Sequence, residues 1–163
     1  MRIRNNISYF VIIILLAAFA AGLYSIETQS IWFDEGWSAY SAIQPTLQAA
    51  IDSDTTNPPL YYVIINIAAR GFGDSEFALR WVSLAFGVLA VALAYQLGRQ
   101  LFSPLAGAAA ALLMALSPLM WWAGQEARMY TLFAVLVLVC ALAWDRLMRG
   151  SRGRWPWWVV LCS

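Results

Sequence analysis

A series of long apolar runs limits what this chain can fold into. A helix needs about 20 mostly apolar residues to cross the hydrocarbon core of a bilayer. Four runs approach that length: residues 7–25, 77–97, 104–122 and 130–147. A fifth begins at Trp155, and because Ser163 falls inside it, the chain is expected to continue further. With 62% hydrophobic and only 12% charged residues, the composition excludes a soluble domain. The sequence predicts one all-α, polytopic transmembrane module over residues 1–163.

The arginines orient the predicted spans. With a cytoplasmic N-terminus, seven arginines fall on the cytoplasmic side and three outside, as the positive-inside rule requires. The outer three are Arg70, Arg80 and Arg128. This predicts a multi-pass plasma-membrane protein with a first outer loop at 26–76. A cleaved signal peptide ending at Ala18-Phe19-Ala20 is an alternative for the N-terminus. Either version brings residues from Ile26 onward to the outer face.

The outer loop contains short helical patterns of its own. Residues 59–72 are apolar, but as a helix they reach only about 21 Å, which is too short to cross the bilayer. We predict a helix in the outer interface there, with Tyr61 and Tyr62 at the depth of the headgroups. Residues 30–51 are also helical in pattern, with a break at Pro45. The loop is therefore predicted to fold into juxtamembrane helices.

Two adjacent carboxylates, Asp34 and Glu35, follow the aromatic pair Trp32-Phe33 in this loop. A partly dehydrated setting raises a carboxylate pKa toward that of a general base. Neighbouring side chains on a helix diverge by about 100°, so one acid could act while the other positions it. The alternative is a solvated acidic turn that caps a helix beginning near Gly36. Because the chain has no histidine, proton chemistry is left to carboxylates and tyrosines.

Asn57-Pro58-Pro59 has two interpretations. Two prolines fix the backbone and form a rigid turn between helices. Alternatively, they hold Asn57 and the Tyr61-Tyr62 pair beneath Asp34, where the rings form an aromatic wall for a lipid chain or a sugar.

Arg128 stands between two apolar spans, where burial of a charge is expensive, and so it needs a partner. Glu126 is two residues away and does not share a helix face with it. A phosphate is a natural ligand for the planar guanidinium. The alternative is a helix-end anchor that contacts phospholipid headgroups or Asp34.

Other classes of function are disfavoured. A net charge of +1 without a broad basic surface gives no sign of a nucleic-acid partner. The two cysteines, Cys140 and Cys162, lie in apolar runs and supply neither a disulfide framework nor a zinc site. A small transporter would place ionisable groups near the membrane midplane, and the runs 77–97 and 104–122 carry none there.

Four motifs follow one another in a distinctive order: Phe33-Asp34-Glu35, Asn57-Pro58-Pro59-Leu60-Tyr61-Tyr62, Glu76-Phe77-Ala78-Leu79-Arg80 and Gln125-Glu126-Ala127-Arg128-Met129-Tyr130. Over residues 32–147 the chain resembles the N-terminal part of the GT-C glycosyltransferases of families 39 and 83. This group uses polyprenyl-phosphate sugars and includes the protein O-mannosyltransferases and the aminoarabinose and galacturonosyl transferases of lipid A. Its members usually carry His where this chain has Asn57, so an ionisable imidazole is missing here.

The resemblance implies an inverting transfer of a hexose or pentose from a polyprenyl phosphate to a lipid, glycan or protein acceptor at the outer leaflet. It makes Asp34 the general base, Glu35 its assistant and Arg128 the group that stabilises the departing phosphate. The candidate substrate-binding residues are Arg128, Glu126, Tyr130, Asn57, Tyr61 and Tyr62. No metal or other cofactor is required, although the two acids could bind a divalent ion. A non-catalytic fragment or scaffold subunit with the same motifs is the main alternative.

Overall fold

A computed structural model describes residues 2–24, 26–28 and 30–149, with side chains from Ile7 onward. This part of the chain forms eight α-helices and no strand. They are α1 (Arg2–Leu23), α2 (Phe33–Ala42), α3 (Leu47–Asp52), α4 (Leu60–Phe72), α5 (Glu76–Leu101), α6 (Pro104–Ala115), α7 (Pro118–Gln125) and α8 (Tyr130–Met148). The predicted all-α membrane bundle is confirmed. The predicted fifth apolar segment, from Trp155, lies outside the described residues.

Two helices in the described ranges, α5 and α8, are long and apolar enough to cross a membrane. A third crossing exists if α6 and α7 are counted as one broken span, since their axes are bent by 59°. In α1 the apolar part with described side chains, Ile7–Leu23, is a shorter helix. The topology of four spans therefore stays a prediction.

The break within the predicted span 104–122 comes from Ser117 and Pro118. Proline has no N–H to continue the helical hydrogen bonding and fits the first helical position. The Ser117 hydroxyl accepts a hydrogen bond from the Met120 N–H at 3.4 Å and caps the new helix α7. Average hydropathy does not register such a change of direction, because both halves are apolar.

The outer-loop helices form where the prolines predicted them. α2 ends before Pro45, and Thr46 caps α3 by accepting from the Ala49 N–H at 3.1 Å. Pro59 stands immediately before α4, which matches the helix predicted over 59–72. The depth of these helices in the bilayer remains a prediction.

α5 is the central helix and packs against α1, α4, α6, α7 and α8. Two buried apolar clusters flank it. The larger joins α2, α4, α5 and α8 through residues that include Tyr61, Tyr62, Ile65 and Leu79. The smaller joins α1, α5 and α6 through Ile14, Val91 and Ala111. The larger cluster supports the loop helices that carry the candidate site.

Candidate active site

The carboxylate of Glu35 is fully buried in the first turn of α2. Arg80, from α5, donates Nε to Oε1 at 2.9 Å and Nη2 to Oε2 at 2.8 Å. The backbone N–H of Ala127 donates to Oε1 at 2.7 Å, and Arg80 Nη1 donates to the Ile26 carbonyl at 2.8 Å. One ion pair thus ties α2 and α5 to the segment after α1 and to the connection between α7 and α8.

These contacts define what Glu35 can do. Burial by itself opposes its ionisation, but the hydrogen bonds from Arg80 and from the Ala127 N–H outweigh that effect, so the pKa of Glu35 is lowered. Both oxygens are occupied by protein donors, and a general base must reach a substrate proton. The assisting role predicted for Glu35 stays a prediction, and these contacts favour positioning of its neighbour Asp34 over direct proton transfer.

Asp34, its neighbour, has a different environment. It lines a cavity of ≈ 360 Å³. The cavity wall also contains Asn57 and Arg128, so residues from three separate sequence motifs converge on one space. The sequence-based expectation that two adjacent acids diverge on a helix is met, since Glu35 points into the protein and Asp34 lies at the cavity.

Arg128 is buried, with 7% of its surface exposed. Its Nη1 donates to the backbone carbonyl of Asp34 at 3.0 Å, and its guanidinium lies 6.0 Å from the centre of the Tyr130 ring. The Ser83 hydroxyl donates to the Arg128 carbonyl at 3.0 Å, which anchors this residue to α5. Within the described residues its buried Nε has no hydrogen-bond partner. Arg128 therefore retains a donor for an additional acceptor.

Asn57 lies in the turn between α3 and α4, beside Asp54. Its Nδ2 donates to Asp54 Oδ2 at 2.8 Å, and the Tyr62 hydroxyl donates to the same oxygen at 2.6 Å. The Thr56 N–H donates to Oδ1 at 2.7 Å. Asp54 and Asn57 both line the cavity.

The predicted aromatic wall of Tyr61 and Tyr62 is corrected by the structure. Both rings are buried, with 1% and 0% exposed, and they pack edge to face with centroids 6.3 Å apart. The Tyr61 hydroxyl bonds to Ser83 at 2.9 Å, and burial raises the pKa of Tyr61. Packing of α4 against α2 and α5 buries both rings. Tyr62 supports the site through the hydrogen bond from its hydroxyl to Asp54. Trp37, 43% exposed, supplies the aromatic surface at the cavity.

Glu126 and Tyr130 flank Arg128 without lining the cavity. Glu126 is buried and accepts a hydrogen bond from the indole N–H of Trp32, and burial raises its pKa. Tyr130 stacks on Trp122, with centroids 5.5 Å apart and planes inclined by 26°. Both residues support the Arg128 segment, and their predicted contact with substrate remains a prediction.

Sequence reasoning missed three residues: Arg80, Asp54 and Trp37. Arg80 helped to orient the membrane and ended one of the four motifs but was given no role in the site, although an arginine in an apolar helix signals a buried partner. Asp54 precedes Asn57 by three residues, a spacing at which a carboxylate commonly bonds to the turn that follows it. Trp37 lies three residues after Asp34, on the same face of a helix.

Comparison with known proteins links this site to one family. A family model described as dolichyl-phosphate-mannose-protein mannosyltransferase matches residues 56–163, about two thirds of the chain. Asn57 and Arg128 lie within the match, and Asp34 and Glu35 precede it. No curated protein and no solved structure matches the chain. The chain belongs to the dolichyl-phosphate-mannose-protein mannosyltransferase family and is thus a membrane glycosyltransferase of the GT-C type.

Proposed function

We propose that this protein transfers a sugar from a polyprenyl-phosphate donor to an acceptor at the extracytoplasmic face of the membrane. The observation that carries the proposal is the shared cavity: Asp34 and Arg128 line it together in a chain of a family described by its lipid-phosphate sugar donor.

In the proposed step, Asp34 accepts the proton of the acceptor hydroxyl as its oxygen attacks the anomeric carbon. A new bond forms between that oxygen and the anomeric carbon while the bond from the same carbon to the phosphate oxygen breaks. The polyprenyl phosphate leaves with the electron pair. The attack inverts the configuration, since nucleophile and leaving group occupy opposite faces of the sugar. Glu35 holds α2, and therefore Asp34, in place through Arg80.

Arg128 is proposed to bind the phosphate that leaves. One of its donors is held by the Asp34 carbonyl, and its buried Nε is unpaired within the described residues. A buried donor without a partner is costly, and a phosphate oxygen would relieve that cost through a charge-assisted hydrogen bond. A single preorganised donor of this kind lowers an activation barrier by about 3 kcal/mol.

Replacement of Asp34 by Asn tests the base. We expect D34N to lower kcat by about 10²-fold or more, as loss of a general base does, with membrane insertion unchanged. The assay measures sugar transfer in membranes from a radiolabelled polyprenyl-phosphate sugar. The matched control is Asp74→Asn, since Asp74 is an exposed acid outside this cavity, and it should retain full activity. Turnover by D34N equal to wild type would refute the base assignment, and absence of transfer by wild type would favour the scaffold alternative.

The extracytoplasmic placement has its own test. In a background with Cys140→Ser and Cys162→Ser, single cysteines are introduced at Thr55, in the cavity wall, and at Gln100, near the end of α5. We expect a membrane-impermeant maleimide to label the cysteine at position 55 in intact cells and the cysteine at position 100 only after lysis. The reverse pattern would invert the proposed orientation.

A further inference from the structure

Asp54 is a cavity residue that the proposed transfer step leaves without a role. Its side chain lines the same space as Asp34 and Arg128. It accepts hydrogen bonds from the Thr56 N–H at 2.7 Å, from Asn57 Nδ2 at 2.8 Å and from the Tyr62 hydroxyl at 2.6 Å. Three donors from the turn and from α4 hold one carboxylate in a fixed orientation.

The donors also fix the protonation state of Asp54. Its hydrogen bonds with Asn57 and Tyr62 hold the pKa of Asp54 well below its usual range. Tyr62 is fully buried, and burial raises its pKa to about 12, so its hydroxyl remains a donor. Asp54 is thus ionised at every physiological pH and is a weak base, which separates it chemically from a residue that must take up a proton.

An ionised carboxylate still has acceptor capacity here. It offers about four acceptor positions. Three are filled by the donors named above, and the fourth is contacted by the side chain of Thr56, an exposed residue whose contact a sugar hydroxyl would replace. In the part of the chain that the structure describes, no group of three or more acidic, cysteine or histidine side chains is arranged to hold a metal ion. Trp37 lines the same cavity with 43% of its surface exposed. An aromatic face beside a fixed acceptor matches a sugar ring, which has an apolar C–H face and hydroxyl donors at its edge.

We propose that Asp54 accepts a hydrogen bond from a ring hydroxyl of the sugar bound in this cavity, with Trp37 against the ring, and so determines specificity without acting as a catalyst. The inference rests on the proposed function, because a sugar must enter the cavity. The hydroxyl belongs either to the donor sugar or to a glycan acceptor, and binding and KM measurements distinguish these two sources.

The test compares Asp54→Asn with wild type on sugars that lack single hydroxyls. Binding of a polyprenyl-phosphate hexose and its monodeoxy analogues is measured in nanodiscs without acceptor, so turnover is not needed. We expect D54N to weaken binding of the parent donor about tenfold to hundredfold, as loss of a hydrogen bond to a charged group does. Wild type should bind the analogue that lacks the hydroxyl contacted by Asp54 as weakly as D54N binds the parent donor. D54N should bind this analogue no more weakly than it binds the parent.

The acceptor source gives another pattern. If the hydroxyl belongs to the acceptor, donor binding is unchanged, and D54N raises KM for a sugar acceptor but not for one monodeoxy form of it. Asp52→Asn is the matched control, since Asp52 lines the same cavity while its carboxylate accepts from Gln48 at 3.0 and 3.1 Å. It should show no such selectivity. Tyr62→Phe keeps the Asp54 carboxylate and should retain the selectivity even if D54N folds poorly.

Equal penalties for D54N on the parent and on every deoxy donor and acceptor would overturn the inference and leave Asp54 as a support of the turn. That result is independent of the D34N assay. Failure of the base assignment would appear as unchanged turnover by D34N, whereas the hydroxyl selectivity appears in donor binding or in the KM for the acceptor.

Discussion

The two ends of α5 are held by opposite means. At its first turns, Arg80 forms a buried ion pair with Glu35, and the Ala127 N–H completes the network. At its last turns, Gly98 and Gly107 allow α5 and α6 to approach with their backbones in contact: a Cβ added at Gly107 would lie 2.5 Å from the Tyr95 carbonyl oxygen. Directed hydrogen bonds fix the position of individual atoms, whereas small-residue packing fixes the distance between helices. The candidate site lies at the end of α5 where hydrogen bonds place individual atoms.

The largest effect should come from breaking the ion pair. Glu35→Ala leaves Arg80, 3% exposed, buried without its carboxylate, and loss of one partner of such a pair costs about 3–5 kcal/mol. We expect that decrease in the free energy of unfolding in detergent, with transfer activity lost as well.

The double variant Glu35→Leu with Arg80→Met is the control for Glu35→Ala. Removal of both charges should recover much of the stability but not the activity, since Asp34 loses its support. A loss below about 1 kcal/mol for Glu35→Ala would show that the two ends of α5 do not differ in this way.

Disruption of the close α5–α6 contact should cost less stability than loss of the ion pair. Gly107→Ala forces a Cβ to within 2.5 Å of the Tyr95 carbonyl oxygen and 2.8 Å of the Arg99 nitrogen, both atoms of the α5 backbone. Overpacking of this kind costs about 1–3 kcal/mol, measured as a lower thermal midpoint. Gly71→Ala is the matched control, because an added Cβ there meets nothing within 4 Å. An equal midpoint for both variants would contradict close backbone contact.

The smallest expected effect is a pH dependence of stability, which should come from Glu126 near the first turns of α5 and not from the α5–α6 contact at its last turns. Burial raises the pKa of Glu126 above 4.5, so the folded state binds its proton more tightly than the unfolded state does. The stability from Glu126 is therefore complete below pH 4.5 and is lost as pH rises through the folded pKa. Glu126→Gln removes that loss while its amide oxygen still accepts from Trp32.

We expect Glu126→Gln to gain stability relative to wild type as pH rises above 4.5, in unfolding curves recorded across that range. Gly107→Ala should run parallel to wild type over the same range, because the α5–α6 contact involves no titrating group. A constant difference between Glu126→Gln and wild type would contradict the raised pKa.

The sequence was informative wherever a local rule operates. Pro45 and Pro59 mark the loop helices because proline restricts the backbone at its own position. The break at Pro118 obeys the same rule but was masked by uniform hydropathy. The convergence of Asp34, Asn57 and Arg128 could be anticipated from topology, since all three were assigned to one side of the membrane.

Pairings between distant residues could not be predicted. Glu35 and Arg80 are 45 residues apart, and nothing in the local pattern identifies them as partners. The burial of Tyr61 and Tyr62 depends on α5 packing over α4, which amphipathic patterning alone does not specify. Asp54 lacked any apolar or aromatic neighbour that would have marked it, and its importance comes from a hydroxyl eight residues later.

The network around Glu35 also sets an order of assembly. Glu35 is synthesised 45 residues before Arg80 and 92 residues before Ala127. At about 5–20 residues per second, the last donor follows about 5–20 s after the carboxylate. During that interval the Glu35 carboxylate lacks the Ala127 N–H that bonds to it in the folded protein. Completion of this network thus waits for the synthesis of α6 and α7, which lie between Arg80 and Ala127 in the chain.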